Sequence, residues 1–482
     1  MEFLLAIIQK IGPFQGAAIL ALAVFISLFT SFSPRKSAKI FSIAINALAY
    51  AGALYLYVHS YIRTGPFSGF LVKMELRELI LLGVVIFCAL NVLFYISFYR
   101  IYDNSFIRTI TILTFTVISI SFLVIASNFI LMFASFTVSV FNIFAIISST
   151  NPGRTASGEA IGKFGIRTAL APVLFFFGFS VLYGSGEIRS FLEVPGLEHT
   201  GNPFILIGTI VFACGLFLYL FLYPFQGPYL KLARRINGEA LPVLWFLYIP
   251  LGIITFIKFE VFFNIFLQQA GIVSKTFIAV ILLLSLIGAN TGAVRTSSLK
   301  RIIAMLVLFS VGNIIFSRVQ GLTGLESAAV LQDTNILGLG IMIAGFMPLC
   351  LLMVFTEKGT GNDSILNLRG FAYRKTYITI CIILILLWWL YANIYISPLT
   401  ALFDGGNFNY PGTVQIIILA LYFLAWLLAT VNIFRMIIVF FSRNAAEGTL
   451  KDLTVPKVFY FYFTIFILAA ISTVVLSWQG LL

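Results

Sequence analysis

Apolar residues in this chain come in blocks of about 20, separated by short polar stretches. Blocks of that length match helices crossing a hydrocarbon core roughly 30 Å thick, whereas a membrane-spanning strand needs only about 9–11 residues. The pattern predicts fourteen helical spans: 13–33, 38–60, 79–99, 109–126, 128–148, 165–184, 203–224, 241–266, 275–293, 299–316, 334–356, 376–397, 412–441 and 456–478. Only Ser127-Asn128 separates the fourth and fifth, which calls for a tight turn. Span 412–441 is too long for one perpendicular crossing and must tilt or emerge at one end.

Two of these helices read as broken. The seventh ends in "LYPFQGP", with Pro224 and Pro228, and polar chain follows to "NGEALPV". The twelfth runs into "ISPLTALFDGGNF", with Pro398, Gly405 and Gly406. A proline removes a backbone donor, and the freed carbonyls must find partners in protein or water. The breaks lie five helices apart, so helices 4–8 and 9–13 each carry one at the same place. Five is odd, and the second set is therefore inverted relative to the first. Inverted repeats with interrupted helices are an architecture of ion-translocating proteins. A pair of ordinary proline kinks is the plainer reading. The expected organisation is helices 1–3 (1–105), a first repeat (106–270), a second, inverted repeat (271–442) and a last helix (443–482).

Composition narrows the class. The 482 residues are 61% hydrophobic and only 10% charged, against about 25% charged in a soluble domain, so neither a soluble globule nor a disordered chain fits. Cys88, Cys214, Cys350 and Cys381 sit in apolar runs at unrelated spacings and read as packing residues. With two histidines, His59 and His199, and no Walker loop or dinucleotide fingerprint, no metal, haem, flavin or nucleotide cofactor is expected. A net charge of +13 raises the question of nucleic acid, but its placement answers it. Of 30 Lys and Arg, 21 fall in odd-numbered connections, 7 in even-numbered ones and the termini, and Lys258 and Arg435 lie within spans. The positive-inside rule then puts the odd connections in the cytoplasm or matrix and both termini on the opposite face. The N-terminal stretch has neither a basic n-region with a cleavage site nor an Arg-rich transit pattern, so the first helix is expected to stay in the mature protein.

Several stretches are similar to one family. "GEAIGKFGIRTALAPVLFFFGFSVLYGSGEI" resembles the entry to the sixth helix of subunit N of bacterial respiratory complex I, which is subunit 2 of the mitochondrial enzyme. Glu159, Ala160, Lys163, Phe164, Tyr183, Gly184 and Gly186 fit that pattern. "YPFQ" and "NGEALPV" look like the family's segments around its seventh-helix break. "NTGAVRTSSLKRIIAMLVLFSVGNII" resembles its tenth-helix region through Asn290, Ala293, Thr296, Lys300, Arg301 and Gly312, and "NIFRMIIVFF" parallels its thirteenth helix through Arg435. The resemblance runs from about residue 105 to the end.

What the resemblance implies is an antiporter-like proton-pumping subunit without a redox centre, in a large hetero-oligomer that couples NADH oxidation and ubiquinone reduction to proton translocation. Its partners would be other membrane-arm subunits and phospholipid. It also implies a glutamate in the fifth helix, lysines in the seventh, eighth and twelfth, and a histidine in the tenth. Here those positions fall on Thr137–Val138, Tyr219, Gly252, Gly406 or Asn407, and Ser310. None of these side chains exchanges protons near neutral pH, tyrosine's ordinary value being about 10.

The stretch "FIKFE" places Lys258 and Glu260 in an apolar span, where a charge costs about 2.5–3.5 kcal/mol at the bilayer centre. Lys258 lies six residues beyond the aligned lysine position, about 240° net around the helix, so it does not recover the same face. It reads either as a relocated proton-relay group partnered by Asp404 or Glu260, or as a lysine snorkelling to the outer interface with Glu260 turned to a neighbouring subunit. Asp404, at the twelfth-helix break, is a proton acceptor or a half-helix cap. Tyr219 completes the proton-path candidates. Glu159 and Lys163 read as a helix-start pair with an interface role, Lys300 and Arg301 as topology anchors, and Arg435 as a structural ion pair or carbonyl contact. No residue is expected to be catalytic by itself.

Two other classes share such a fold or hydropathy: a subunit of an Mrp-type cation/proton antiporter or membrane-bound hydrogenase, and a lone secondary transporter. For the last, only Asn142, Asn290 and Asn313 offer midplane polar groups. Abundant Phe and Ile suit an organelle-encoded protein of the mitochondrial inner membrane, with a bacterial inner membrane as the alternative.

Overall fold

A computed structural model describes residues 2–33, 35–69, 71–100, 103, 105–150, 155–184, 203–269, 271–321, 346, 349–350, 353–354, 363–395, 412–442, 463–464 and 467. Ten helices in it are long and apolar enough to cross a membrane, and Phe14–Thr30 and Leu206–Tyr219 are shorter apolar helices. Together they match twelve of the fourteen spans read from sequence. The other two, 334–356 and 456–478, lie mostly outside the described residues.

The chain folds as two compact units, Met1–Leu220 with Pro242–Phe266, and Phe221–Leu241 with Leu267–Leu482. The first unit contains α1 (Glu2–Thr30), α2 (Lys36–Thr64), α3 (Leu76–Arg100), α4 (Phe106–Ile125), α5 (Phe129–Ser149), α6 (Thr155–Gly184) and α7 (Pro203–Tyr219). Its helices pack through small residues and buried hydrogen bonds, because a hydrophobic driving force between helices is absent in lipid. Gly178 and Gly208 let α6 and α7 approach until a Cβ on either would lie 3.0–3.1 Å from the other's carbonyl. In the α1–α2–α4 bundle, Asn46 Nδ2 donates to Ser27 Oγ (2.7 Å), Thr114 Oγ1 donates to Asn46 Oδ1 (2.5 Å), and Tyr50 OH lies 3.0 Å from Thr114 Oγ1.

The tight turn expected at Ser127-Asn128 is present. Asn128 caps α5 by accepting from Ile130 N at 2.8 Å, and Ser127 Oγ donates to Gly69 O at 2.6 Å. That second bond fastens the turn to a small hairpin, β1 (Phe67–Ser68) and β2 (Lys73–Met74), which leads into α3.

The second unit begins with a correction. The segment after Pro224, read as polar chain, folds as a ten-residue amphipathic helix, α8 (Gln226–Arg235). Tyr229, Leu230, Leu232 and Ala233 are buried at helical spacing, while Lys231, Arg234 and Arg235 are exposed. Ten residues form too short a block to stand out in a search for bilayer-length runs. A 3₁₀ turn (Gly238–Ala240), α9 (Leu241–Val243), a π-helical turn (Leu244–Tyr248) and α10 (Ile249–Gln269) make up the eighth span and return the chain to the first unit. α11 (Gly271–Val294), α12 (Leu299–Gly321), α13 (Phe371–Arg374), α14 (Thr376–Tyr395) and α15 (Gly412–Phe441) follow. α11 and α15 are joined by Asn290 Nδ2 donating to Ala425 O (3.2 Å) and Asn432 Nδ2 donating to Asn290 O (3.0 Å).

Candidate functional site

The site is built around the seventh-span break. α7 stops at Tyr219, and the last carbonyls of a helix have no partner within it. In lipid such groups must be satisfied by protein. Tyr248 OH donates to Tyr219 O at 2.8 Å, and Tyr219 OH donates back to Tyr248 O at 3.0 Å. The two buried rings stack with centroids 4.1 Å apart and planes 18° apart. Both hydroxyl protons are thereby directed at the main chain, and the π-helical turn places Tyr248 opposite the helix end.

One turn further on, Gly252 closes the arrangement. A Cβ there would lie 2.3 Å from Leu220 Cδ2 and 2.9 Å from Tyr219 Cδ1. A side chain at Gly252, where the family resemblance implies a lysine, would require Leu220 and the Tyr219 ring to move, and Tyr219 is itself the residue where the resemblance implies the seventh-helix lysine. The two departures are one packing solution.

Aromatic rings fill the surroundings. Phe136 lies 5.1 Å from Tyr219 and 4.5 Å from Phe175, Phe175 stacks on Phe212 at 4.3 Å, and Phe212 stacks on Phe259 at 3.7 Å. Thr137, at the implied glutamate position, donates its hydroxyl to Phe133 O on its own helix at 2.8 Å.

Lys258 and Glu260 lie on α10 and find partners on α3. Lys258 Nζ is 3.1 Å from Glu78 Oε1, with side chains 9% and 6% exposed. Arg77 Nη2 donates to Glu260 Oε2 at 2.7 Å. Glu78 also accepts from Glu75 N at 3.1 Å, closing the first turn of α3 as the third helical residue of a capping box does. Lys258 therefore pairs with Glu78, where the sequence reading offered Asp404 or Glu260. Glu260 is buried against Arg77 within the chain, where that reading turned it to a neighbouring subunit. The signal was present in "LREL": Arg77-Glu78 is the reverse-charge counterpart of Lys258…Glu260. Counting Arg77 only as a connection charge concealed it.

In the second unit, Ser310 occupies the implied histidine position on α12 and accepts from Asn393 Nδ2 at 3.4 Å. Asn313 Nδ2 donates to Asn393 O at 2.8 Å, and Tyr422 OH donates to Asn313 Oδ1 at 2.7 Å. All four side chains are buried, and they link α12, α14 and α15. Asn393 and Tyr422 were missed, because a single Asn or Tyr in an apolar span carries no spacing signal.

The remaining candidates scatter. Lys300 Nζ donates to Ile236 O at 2.9 Å, capping the C-terminal end of α8. Arg301 N lies 3.4 Å from Ser298 Oγ. Arg435 Nη1 donates to Ala293 O and Val294 O at 3.2 and 2.6 Å. Glu159 and Lys163 form an exposed ion pair one turn apart. Pro224 is exposed just beyond the break, and Tyr223 N donates to Ser285 Oγ at 2.7 Å. Phe221, between them and α7, has φ 55°, a left-handed conformation that costs a residue with a Cβ about 1 kcal/mol or more. Pro398, Asp404, Gly406 and Asn407 lie outside the described residues.

No protein-family model matches the chain. Curated relatives carry the name NADH-quinone oxidoreductase subunit N. The protein of Rickettsia prowazekii (strain Madrid E) is 24% identical over 299 residues, 61% of this chain and 62% of its own length. That of Rickettsia typhi (strain ATCC VR-144 / Wilmington) is 24% identical over 326 residues, 63% and 66% respectively. The chain thus spans about three fifths to two thirds of the length of these relatives. Among solved structures, a chain of respiratory complex I from Thermus thermophilus with bound aureothin superposes with a TM-score of 0.72 at 15% identity, covering 96% of both chains. A chain of the membrane-bound sulfane sulfur reductase, an archaeal respiratory membrane complex, gives 0.77 at 14% identity, covering 95% of this chain and 94% of that one. The all-α polytopic fold and the resemblance to subunit N, both read from sequence, are borne out.

Proposed function

We propose that this chain is a membrane-arm, antiporter-like subunit of a respiratory NADH:quinone oxidoreductase, without a redox centre of its own, whose first unit is sealed against protons. The observation that carries the second part is the Tyr219–Tyr248 stack closed by Gly252. Proton passage needs a group that can take and release a proton, or water in a continuous file. Here both tyrosine hydroxyls are held by main-chain oxygens, and phenylalanine rings occupy the adjoining volume. The subunit's work in that unit is then mechanical, holding neighbouring subunits in register. The twofold pairing of α3 with α10 suits such a role, since buried ion pairs define one arrangement more than they add stability.

The second reading, a subunit of a cation/proton antiporter or membrane-bound hydrogenase, draws on the likeness to the archaeal respiratory complex. Affinity purification of the tagged chain from its native membrane separates the two. Flavin- and iron–sulfur-bearing partners that oxidise NADH are expected. Small antiporter subunits or a hydrogenase module in their place would overturn the assignment. The sealing is tested in the same preparation by the proton-to-electron ratio of the double variant Glu78→Gln/Lys258→Met, which leaves neither charge of the pair unpaired and is expected to equal the parent. A lower ratio with intact electron flow would make that pair part of a proton path. Phe- and Ile-rich composition supports a mitochondrial inner membrane as the site.

A further inference from the structure

Asn290, one of the polar residues that the sequence sets within an apolar span, meets Asn432 where α11 packs on α15. Both residues are buried, at 0% and 1% exposed. Asn290 Nδ2 donates to Leu286 O on its own helix at 3.0 Å and to Ala425 O on α15 at 3.2 Å. Asn432 Nδ2 donates back to Asn290 O at 3.0 Å. Neither amide can be turned round, because exchanging its oxygen and nitrogen would set oxygen against these carbonyl oxygens. The two nitrogens are thus committed to main-chain carbonyls.

The two oxygens are not committed. Asn290 Oδ1 and Asn432 Oδ1 are both buried, and among the described residues no donor reaches either. A buried acceptor without a donor gives up its hydration for nothing, which is why such groups are rare in folded proteins. The side-chain donors next to them in sequence are engaged elsewhere. Thr291 Oγ1 donates to Gly288 O at 3.3 Å, Thr430 Oγ1 to Trp426 O at 3.0 Å, and Arg435 Nη1 to Ala293 O and Val294 O. Two oxygens of the same kind, one from each helix of a single contact, call for a molecule with two donors.

We infer that an ordered water is bound in the α11–α15 contact, with its two O–H groups donating to Asn290 Oδ1 and Asn432 Oδ1. Water brings two donors and no charge, and two amide oxygens are partners enough to hold a buried water. Ala293 and Ala429, each one turn from an amide on its own helix and fully buried, put only methyl groups on these faces. Asn290 is four residues, about 6 Å, from the end of α11 at Val294, and Arg295 beyond it is exposed. The path for water from that helix end is about one turn long.

Charge argues against a metal cation as the occupant. Neither α11 nor α15 contains an Asp or a Glu, and the guanidinium of Arg435 lies against Ala293 O and Val294 O, one turn from Asn290. A cation there would be desolvated with no carboxylate to offset the cost. The joint between α11 and α15 is then partly wet: direct amide–carbonyl bonds in both directions, and one bridge through water. The Tyr219–Tyr248 joint, where each hydroxyl meets its acceptor directly, needs no such bridge.

The test is a cryo-EM map of the intact assembly at a resolution that shows ordered water. A density peak about 2.5–3.0 Å from both Asn290 Oδ1 and Asn432 Oδ1 is expected, as high as those of other buried waters. Replacing sodium and potassium in the buffer by rubidium should leave its height unchanged. In Asn432→Leu, which keeps much of the amide's bulk and removes its oxygen, the peak should be lost; the parent map decides by itself should that variant fail to assemble. An empty contact in a map that shows other buried waters overturns the proposal, as does a peak retained in Asn432→Leu. A peak that rises several-fold with rubidium would make the site a cation site and overturn it too. So would a side chain donating to either oxygen, from a neighbouring subunit or from another part of this chain.

Discussion

Two regions, the seventh-span break in the first unit and the contact of α12, α14 and α15 in the second, meet the same demand, polar groups inside lipid, with opposite chemistry. Around the seventh-span break the first unit uses rings: Tyr219 and Tyr248 turn their hydroxyls onto each other's carbonyls, and Gly252 lets Leu220 and Tyr219 close over the place a side chain would take. In the second unit, side chains bond to side chains as well as to backbone, from Ser310 through Asn393 and Asn313 to Tyr422. The first solution engages both hydroxyl protons with main-chain oxygens. The second keeps a run of amides and hydroxyls across three helices. A buried position without an ionisable group can therefore be filled in more than one way. What fills the space decides whether a polar route closes.

This contrast can be broken at graded strength. The largest effect is expected from Gly252→Lys, which restores the charge implied by the family resemblance where Leu220 Cδ2 would meet its Cβ. Overpacking of about 1–3 kcal/mol adds to about 2.5–3.5 kcal/mol for a buried charge, enough to lose the subunit from the assembly on native gels. Regain of pumping without loss of assembly would mean the break is adaptable.

Next come Glu78→Gln and Lys258→Met. Each alone leaves one buried charge of the 3.1 Å pair uncompensated and should destabilise by about 3–5 kcal/mol, while the double variant should recover most of the loss. Thermal dissociation of the subunit from the purified assembly measures this, and equal loss in singles and double would show that the pair does not act as a unit.

Tyr422→Phe is milder. It leaves Asn313 Oδ1 without its 2.7 Å donor and should cost about 1–3 kcal/mol. Tyr219→Phe removes one bond to the main chain but keeps the stack, and a thermal shift larger than that of Tyr422→Phe would reverse the ranking of the two sites.

Lys163→Ala should be the smallest, at about 0.5 kcal/mol or less, because its partner Glu159 and Lys163 itself are exposed. A larger effect, read as loss of neighbouring subunits, would reveal an interface there.

Bilayer-length runs are a strong one-dimensional signal, which is why twelve spans appear where hydropathy puts them and why α8, ten residues long, did not. Proline marked the seventh-span break, but the pairing across it was hidden. Tyr219 and Tyr248 are 29 residues apart, and a tyrosine in an apolar run announces no partner. The departures of Tyr219 and Gly252 from what the resemblance implies were legible one by one. That they compensate each other is a fact of packing, carried by a missing Cβ and visible only in three dimensions. The Lys258–Glu78 pair joins residues 180 apart, and helical periodicity constrains only near neighbours.

Cryo-EM of the intact assembly, at a resolution that shows ordered water, tests the central claim most directly. The region from Tyr219 and Tyr248 past Gly252 should be dry, its volume filled by Phe136, Phe175, Phe212 and Leu220. A file of ordered waters through that region, reaching Lys258, would contradict it and mean that the first unit still carries protons.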